Sequence, residues 1–152
     1  MARREAESVA DLEKSIWIDA PPEVVFEYFT DAAKMRLWCG RDAELEAVPG
    51  GIYRVDMGEW GVVEGKFVRV EPPTFLSHTV PSGDGPEGLI EITITADAGG
   101  SRVEVHQTGL DEPFRPIASR GWDHHLARLS VVTTGGTASG DSMCLRTIET
   151  FA

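Results

Sequence analysis

The stretch RGWDHHLARL, residues 120–129, holds a Trp, an Asp and two adjacent His within four positions. Side chains of these types build metal sites and acid–base pairs. In a helix each residue advances about 100°. Measured from Trp122, Leu126 lies about 40° to one side and Leu129 about 20° to the other, with His125 about 60° and His124 about 160° away. Trp122, His125, Leu126 and Leu129 thus follow the i, i+3, i+4, i+7 spacing of a buried stripe, which Ala118 and Val132 extend. His124 points away from the stripe and reads as solvated, with Asp123 on its flank. Helical His share a metal only when three or four residues apart, so His124 and His125 make no metal pair. No metal or other cofactor is expected. Trp122 reads as core or as a cavity wall. His125 reads as a helix–sheet packing residue with one hydrogen bond, or as a polar handle inside a ligand pocket.

The other candidates lie on strands and at element ends. His78 shares a strand face with Leu76 and Val80, as a satisfied core histidine, a pocket-lining group or part of a solvated face. His106 alternates with Val105 and Gln107 and so faces outward. Gln107 falls on the inner face, where a buried amide needs partners, either backbone or a ligand. Trp38, at an element's end, and Trp60, between Gly58 and Gly61, read as cavity-mouth residues or as exposed packing. Tyr53 and Met57 share an inward face, and Phe114 starts the last helix; each is first a core residue and second a lining residue. There is no Gly-x-Ser-x-Gly elbow, no P-loop and no Cys–His pair with nucleophile context. The carboxylate pairs Asp42–Glu44 and Asp111–Glu112 read as solvated surface. General acid–base catalysis would fall to His78, His125 or Tyr53.

Local patterns say what must position these groups. KSIWIDA alternates Ile16 and Ile18 with polar neighbours, a strand signature. Pro21-Pro22 fits a first helical turn, and Val25, Phe26 and Phe29 supply a short apolar face. Thr30-Asp31 caps a second short helix, AAKMRLW. Strands follow from residue 43: AELEAV, the Pro49-Gly50-Gly51 turn, IYRVDM, and VVEGKFVRVE, where Gly65 marks a bulge or a close approach. Pro72-Pro73 ends that strand. TFLSHTV, LIEITITA and SRVEVHQTGL come next, the last two as a hairpin through DAGG. Asp111 can cap a helix from near Pro113 to about Thr133. Residues 1–11 read as a flexible arm or a short helical lead-in, and 135–152 as a tail of no assigned structure. This order predicts one α+β domain, a curved antiparallel sheet covered by the only long helix.

The 152 residues carry 25 acidic against 14 basic side chains, a net charge of −11, with no basic cluster beyond Arg3-Arg4. Nucleic acid and anionic membrane are therefore excluded as expected partners. The chain is long enough to hold a core without disulfides or metal. Cys39 and Cys144 have no framework spacing, the N-terminus lacks a signal peptide's apolar stretch, and no run is long enough to span a bilayer. A cytoplasmic location is expected.

Five stretches taken in order resemble the Hsp90-ATPase-activator-homologue branch of the START-like (Bet v 1-like, helix-grip) superfamily. They are IDAPPEVVFEYFTDAAKMRLW, PGGIYRVDM, EGKFVRVEPPTFLSHT, GGSRVEVHQTGL and GWDHHLARL. The resemblance covers about residues 14 to 133. It implies the helix-grip fold: a curved antiparallel sheet around a long C-terminal helix, with two short helices after the first strand. It also implies a cavity between sheet and helix, holding a small apolar or aromatic molecule. Lining would fall to Trp38, Tyr53, Met57, Trp60, His78, Gln107, Phe114, Trp122 and His125. Relatives suggest two other roles, a chaperone partner that stimulates an ATPase and a polyketide cyclase or dehydratase, and a homodimer is a further expectation. The eukaryotic chaperone-stimulating relatives carry an additional N-terminal domain that is not found in these residues. Gln107 stands where many relatives carry His, and Val80 where an aromatic is common, so no relative's ligand carries over.

Overall fold

A computed structural model describes residues 12–58, 61–80, 87–110 and 114–138. The expected arm at 1–11, Trp60, Asp111 and most of the 135–152 tail lie outside the described residues. The elements run β1 (Leu12–Ile18), α1 (Pro22–Thr30), α2 (Ala32–Met35), β2 (Asp42–Leu45), β3 (Ile52–Asp56), β4 (Val62–Glu71), β5 (Phe75–Val80), β6 (Gly88–Asp97), β7 (Gly100–Thr108) and α3 (Arg115–Thr133). Among the described residues all strand pairs are antiparallel, in one seven-stranded sheet ordered β1-β7-β6-β5-β4-β3-β2. This is an α+β helix-grip fold.

Period-two alternation gives the sheet its inner face. Leu76, His78 and Val80 on β5, Ile90, Ile92 and Ile94 on β6, and Val103, Val105 and Gln107 on β7 are all buried. The cross-strand row Phe67–His78–Ile90–Gln107 runs over four adjacent strands, so these four side chains share the inner face. The register between β4 and β5 slips between Phe67 and Arg69. The irregularity therefore sits at Val68 rather than Gly65, which leaves the close-approach reading of Gly65. Gly65 is a close-approach point, because a Cβ there would overlap the Thr79 carbonyl.

The helices close the inner face. Val25, Phe26 and Phe29 of α1 join Met35 of α2 in the core. The buried Ser101 hydroxyl donates to the Ala20 carbonyl at 2.6 Å and pins β7 to the start of α1. Helix α3 packs along β1 and α1, and Lys14 of β1 pairs with Asp123 at 2.9 Å. Its C-terminal half is fastened by buried Leu126, Leu129 and Val132. Arg128 donates from Nε to the Trp38 carbonyl at 3.1 Å, and the Tyr28 hydroxyl donates to the Val132 carbonyl at 3.4 Å. Among the described residues no helix is long and apolar enough to cross a membrane.

Candidate functional site

The N-terminal half of α3 stands off from the sheet, and the gap is a partly open cavity of about 270 Å³. Its floor is Tyr53, Val55 and Met57 at β3, Val63 of β4, His78 and Val80 of β5, Ile90 of β6 and Gln107 of β7. Ile117, Ala118, Gly121, Trp122 and His125 of α3 form the roof, and Cys39 closes one side. Among the described residues no Lys, Arg, Asp or Glu lines it. The gap has a steric cause. Ala118 and Gly121 have almost no side chain, and a Cβ built on Gly121 meets nothing within 4 Å.

The polar groups are few and oriented. His78 is 3% exposed and lies flat against Tyr53, ring centroids 3.6 Å apart and planes 11° from parallel. Burial pushes its pKa down to about 4, against a smaller opposing effect from the Thr79 carbonyl. The ring is therefore neutral at pH 7. Its Nδ1 lies 3.1 Å from that carbonyl, which can only accept, so Nδ1 carries the proton and Nε2 is left as an acceptor. Burial also raises the pKa of the Tyr53 hydroxyl, with a smaller contribution from Cys39, so the phenol keeps its proton. Trp122 donates from Nε1 to Gln107 Oε1 at 2.9 Å. An indole N–H can only donate, which fixes the amide orientation and leaves the Gln107 NH₂ as a donor. His125 bonds through Nδ1 to the Gly121 carbonyl at 2.9 Å, one turn back on its own helix.

The cavity thus brings together Tyr53, Met57, His78, Gln107, Trp122 and His125. Trp38 is a correction. It is 1% exposed and does not reach the cavity. Its Nε1 donates to the Tyr28 carbonyl at 2.9 Å and its ring meets Phe29 edge-on at 5.1 Å, which makes it the pin between the two short helices. Phe114 is a second correction. It is 56% exposed and precedes the helix, which begins at Arg115, so it lies outside the cavity. Sequence reasoning missed Cys39, Ile117, Ala118 and Gly121 as lining. Ala118 lies on the Trp122 stripe and Gly121 beside it, one turn before His125, so the missing signal was their small size at a helix–sheet crossing. Cys39 Sγ lies 4.0 Å from Met57 Sδ, a proximity that no spacing announces.

Residues 19–133 match the family described as activator of Hsp90 ATPase homolog 1-like protein. The chain belongs to this family. No curated protein sequence matches it. Among solved structures it is similar to DynU16, from the dynemicin biosynthetic locus, with a TM-score of 0.74 and 24% identity over 84% of this chain. This chain spans only 48% of that one. It is also similar to the Aha1 dimer from Colwellia psychrerythraea, with a TM-score of 0.76 and 17% identity over 84% of this chain and 98% of that one. An Hsp90 activator from Plasmodium falciparum gives a TM-score of 0.69 and 18% identity over 82% and 96%. At these identities the likeness concerns the fold.

Proposed function

We propose that the chain binds a small, largely apolar or aromatic molecule between its sheet and the N-terminal half of α3. The observation that carries this reading is the cavity itself: apolar walls, no charged lining among the described residues, and a small number of oriented polar groups. Binding sites for small molecules have this composition. An apolar cavity of about 150 Å³ accepts one benzene, so about 270 Å³ suits a substituted single ring or a compact pair of rings. Tyr53, Met57, His78, Gln107, Trp122 and His125 would be the contacts. Binding rather than turnover is favoured by His78, which at a pKa of about 4 is a weak general base at pH 7.

Native mass spectrometry of gently purified protein and thermal-shift screening of neutral aromatics test the reading. Gly121→Leu, which fills the roof, is the control. Retained mass or a raised Tm that disappears in Gly121→Leu supports it. The absence of any binder, or binding indifferent to Gly121→Leu, refutes it. The second reading is a chaperone partner, favoured by the family and by the Plasmodium falciparum neighbour. It requires co-purification with a chaperone and a change in that chaperone's ATPase rate.

A further inference from the structure

The orientations of the polar groups go further than the volume, and they say what the ligand must carry. His78 and Gln107 both flank Ile90 in one cross-strand row. Strands lie about 4.8 Å apart, so the two residues stand roughly 10 Å apart along the floor. Each already spends one polar atom inside the protein: His78 Nδ1 on the Thr79 carbonyl, Gln107 Oε1 on Trp122 Nε1. Neither His78 Nε2 nor Gln107 Nε2 has a hydrogen-bond partner among the described residues. One end of the floor therefore offers an acceptor and the other a donor. Buried polar groups are costly when unmatched, so a ligand that supplies both partners is strongly favoured over one that supplies neither.

The walls restrict shape and charge as well. The stacked Tyr53–His78 pair and the Trp122 ring are flat surfaces, which suit a planar guest. Among the described residues no cationic or anionic side chain lines the cavity. A carboxylate or ammonium would be desolvated there without a counter-charge.

We infer that the cavity selects a neutral planar aromatic ligand with a hydrogen-bond donor at one end, directed to His78 Nε2, and an acceptor at the other, directed to the Gln107 amide. This rests on the proposed binding function and adds the polarity of its ligand.

Four single-ring probes of matched size separate the requirements. 4-Hydroxyacetophenone carries both the donor and the acceptor. 4-Methoxyacetophenone lacks the donor, 4-ethylphenol lacks the acceptor, and 4-hydroxybenzoate adds a charge. Calorimetric or NMR titration near pH 7 should rank hydroxyacetophenone first, about tenfold tighter than either neutral analogue. It should bind at least about a hundredfold tighter than the benzoate. In His78→Phe the preference for hydroxyl over methoxy should vanish while the preference for acetyl over ethyl persists. Gln107→Leu should do the reverse; should it fail to fold, His78→Phe still decides. Equal affinities among the neutral probes, or tight binding of the benzoate, overturn the inference and leave the binding function standing. Failure of all four, while the wider neutral panel still shifts Tm in a Gly121-dependent way, overturns the inference alone. Failure of both overturns the binding function with it.

Discussion

His78→Phe should change how stability depends on pH. The native imidazole is buried and its pKa is pushed down to about 4, whereas in the unfolded chain it returns to 6.5. Between these values the unfolded state binds more protons, so acid favours unfolding. The group's contribution is fully present above about pH 6.5, is lost as pH falls, and levels off below about pH 4. Near pH 4.5 roughly three in four native molecules hold His78 neutral, against about one in a hundred unfolded ones, a penalty of about 2.5 kcal/mol. Near pH 7 the same calculation gives almost nothing. Phe preserves the flat contact on Tyr53 and does not titrate. The stability of His78→Phe relative to the parent should therefore rise by about 2.5 kcal/mol between pH 7 and 4.5. Urea unfolding followed by circular dichroism reads this as about 1.7 M of relative midpoint, for a slope near 1.5 kcal/mol/M. The His78 C2–H resonance gives the native titration directly. Parallel loss of stability in both proteins, or a native titration near 6.5, would refute a buried neutral imidazole.

Gly121→Ala should stabilise the protein by up to about 1 kcal/mol, because helix propensity improves and the new Cβ meets open space; the thermal midpoint reads it. Gly65→Ala should cost more than about 2 kcal/mol in denaturant titration, since its Cβ would overlap the Thr79 carbonyl and force β4 from β5. Ser101→Ala should cost about 1–2 kcal/mol, because the Ala20 carbonyl loses its buried donor. Leu129→Ala, at 0% exposure, should cost about 2–5 kcal/mol by the same measurement.

Much of the fold was legible because strands and helices write their buried faces in periods of two and 3.6. Ile16 and Ile18, the triplet Ile90–Ile92–Ile94 and the stripe from Ala118 to Val132 needed no tertiary information. The same alternation turned polar Gln107 inward, although its partner proved to be an indole rather than backbone or ligand alone. Periodicity failed at element ends. Trp38 follows a helix of four residues, too short to define a face, and its burial is set by Phe29 and the Tyr28 carbonyl in another helix. Phe114 stands before the first helical residue and so does not share the stripe's direction. Gly65 carried the right signal for close approach, while the register slip fell at Val68, which looks in sequence like any other strand valine.

The cavity was the least legible feature, because a void belongs to the distance between two surfaces and to neither alone. Its origin can be reasoned from α3. The second half of the helix carries Leu126, Leu129 and Val132, whose burial seats it in the core. The first half presents Ala118 and Gly121 toward the sheet, which are too small to fill the space facing Tyr53, Met57 and Val63. One helix thus anchors at one end and leaves room at the other. Trp122 sits where the two regimes meet, and its bond to Gln107 holds the helix to the sheet there. Losing the whole Trp122 side chain would free the helix's first half and unlock the Gln107 amide together. The residue that sets the roof's height therefore also sets the polarity of the floor. A Trp122→Phe variant separates the two effects: the ring still props the roof, the amide loses its fixed orientation, and the proposed preference for an acceptor-bearing ligand should weaken while affinity for purely apolar guests stays close to the parent's.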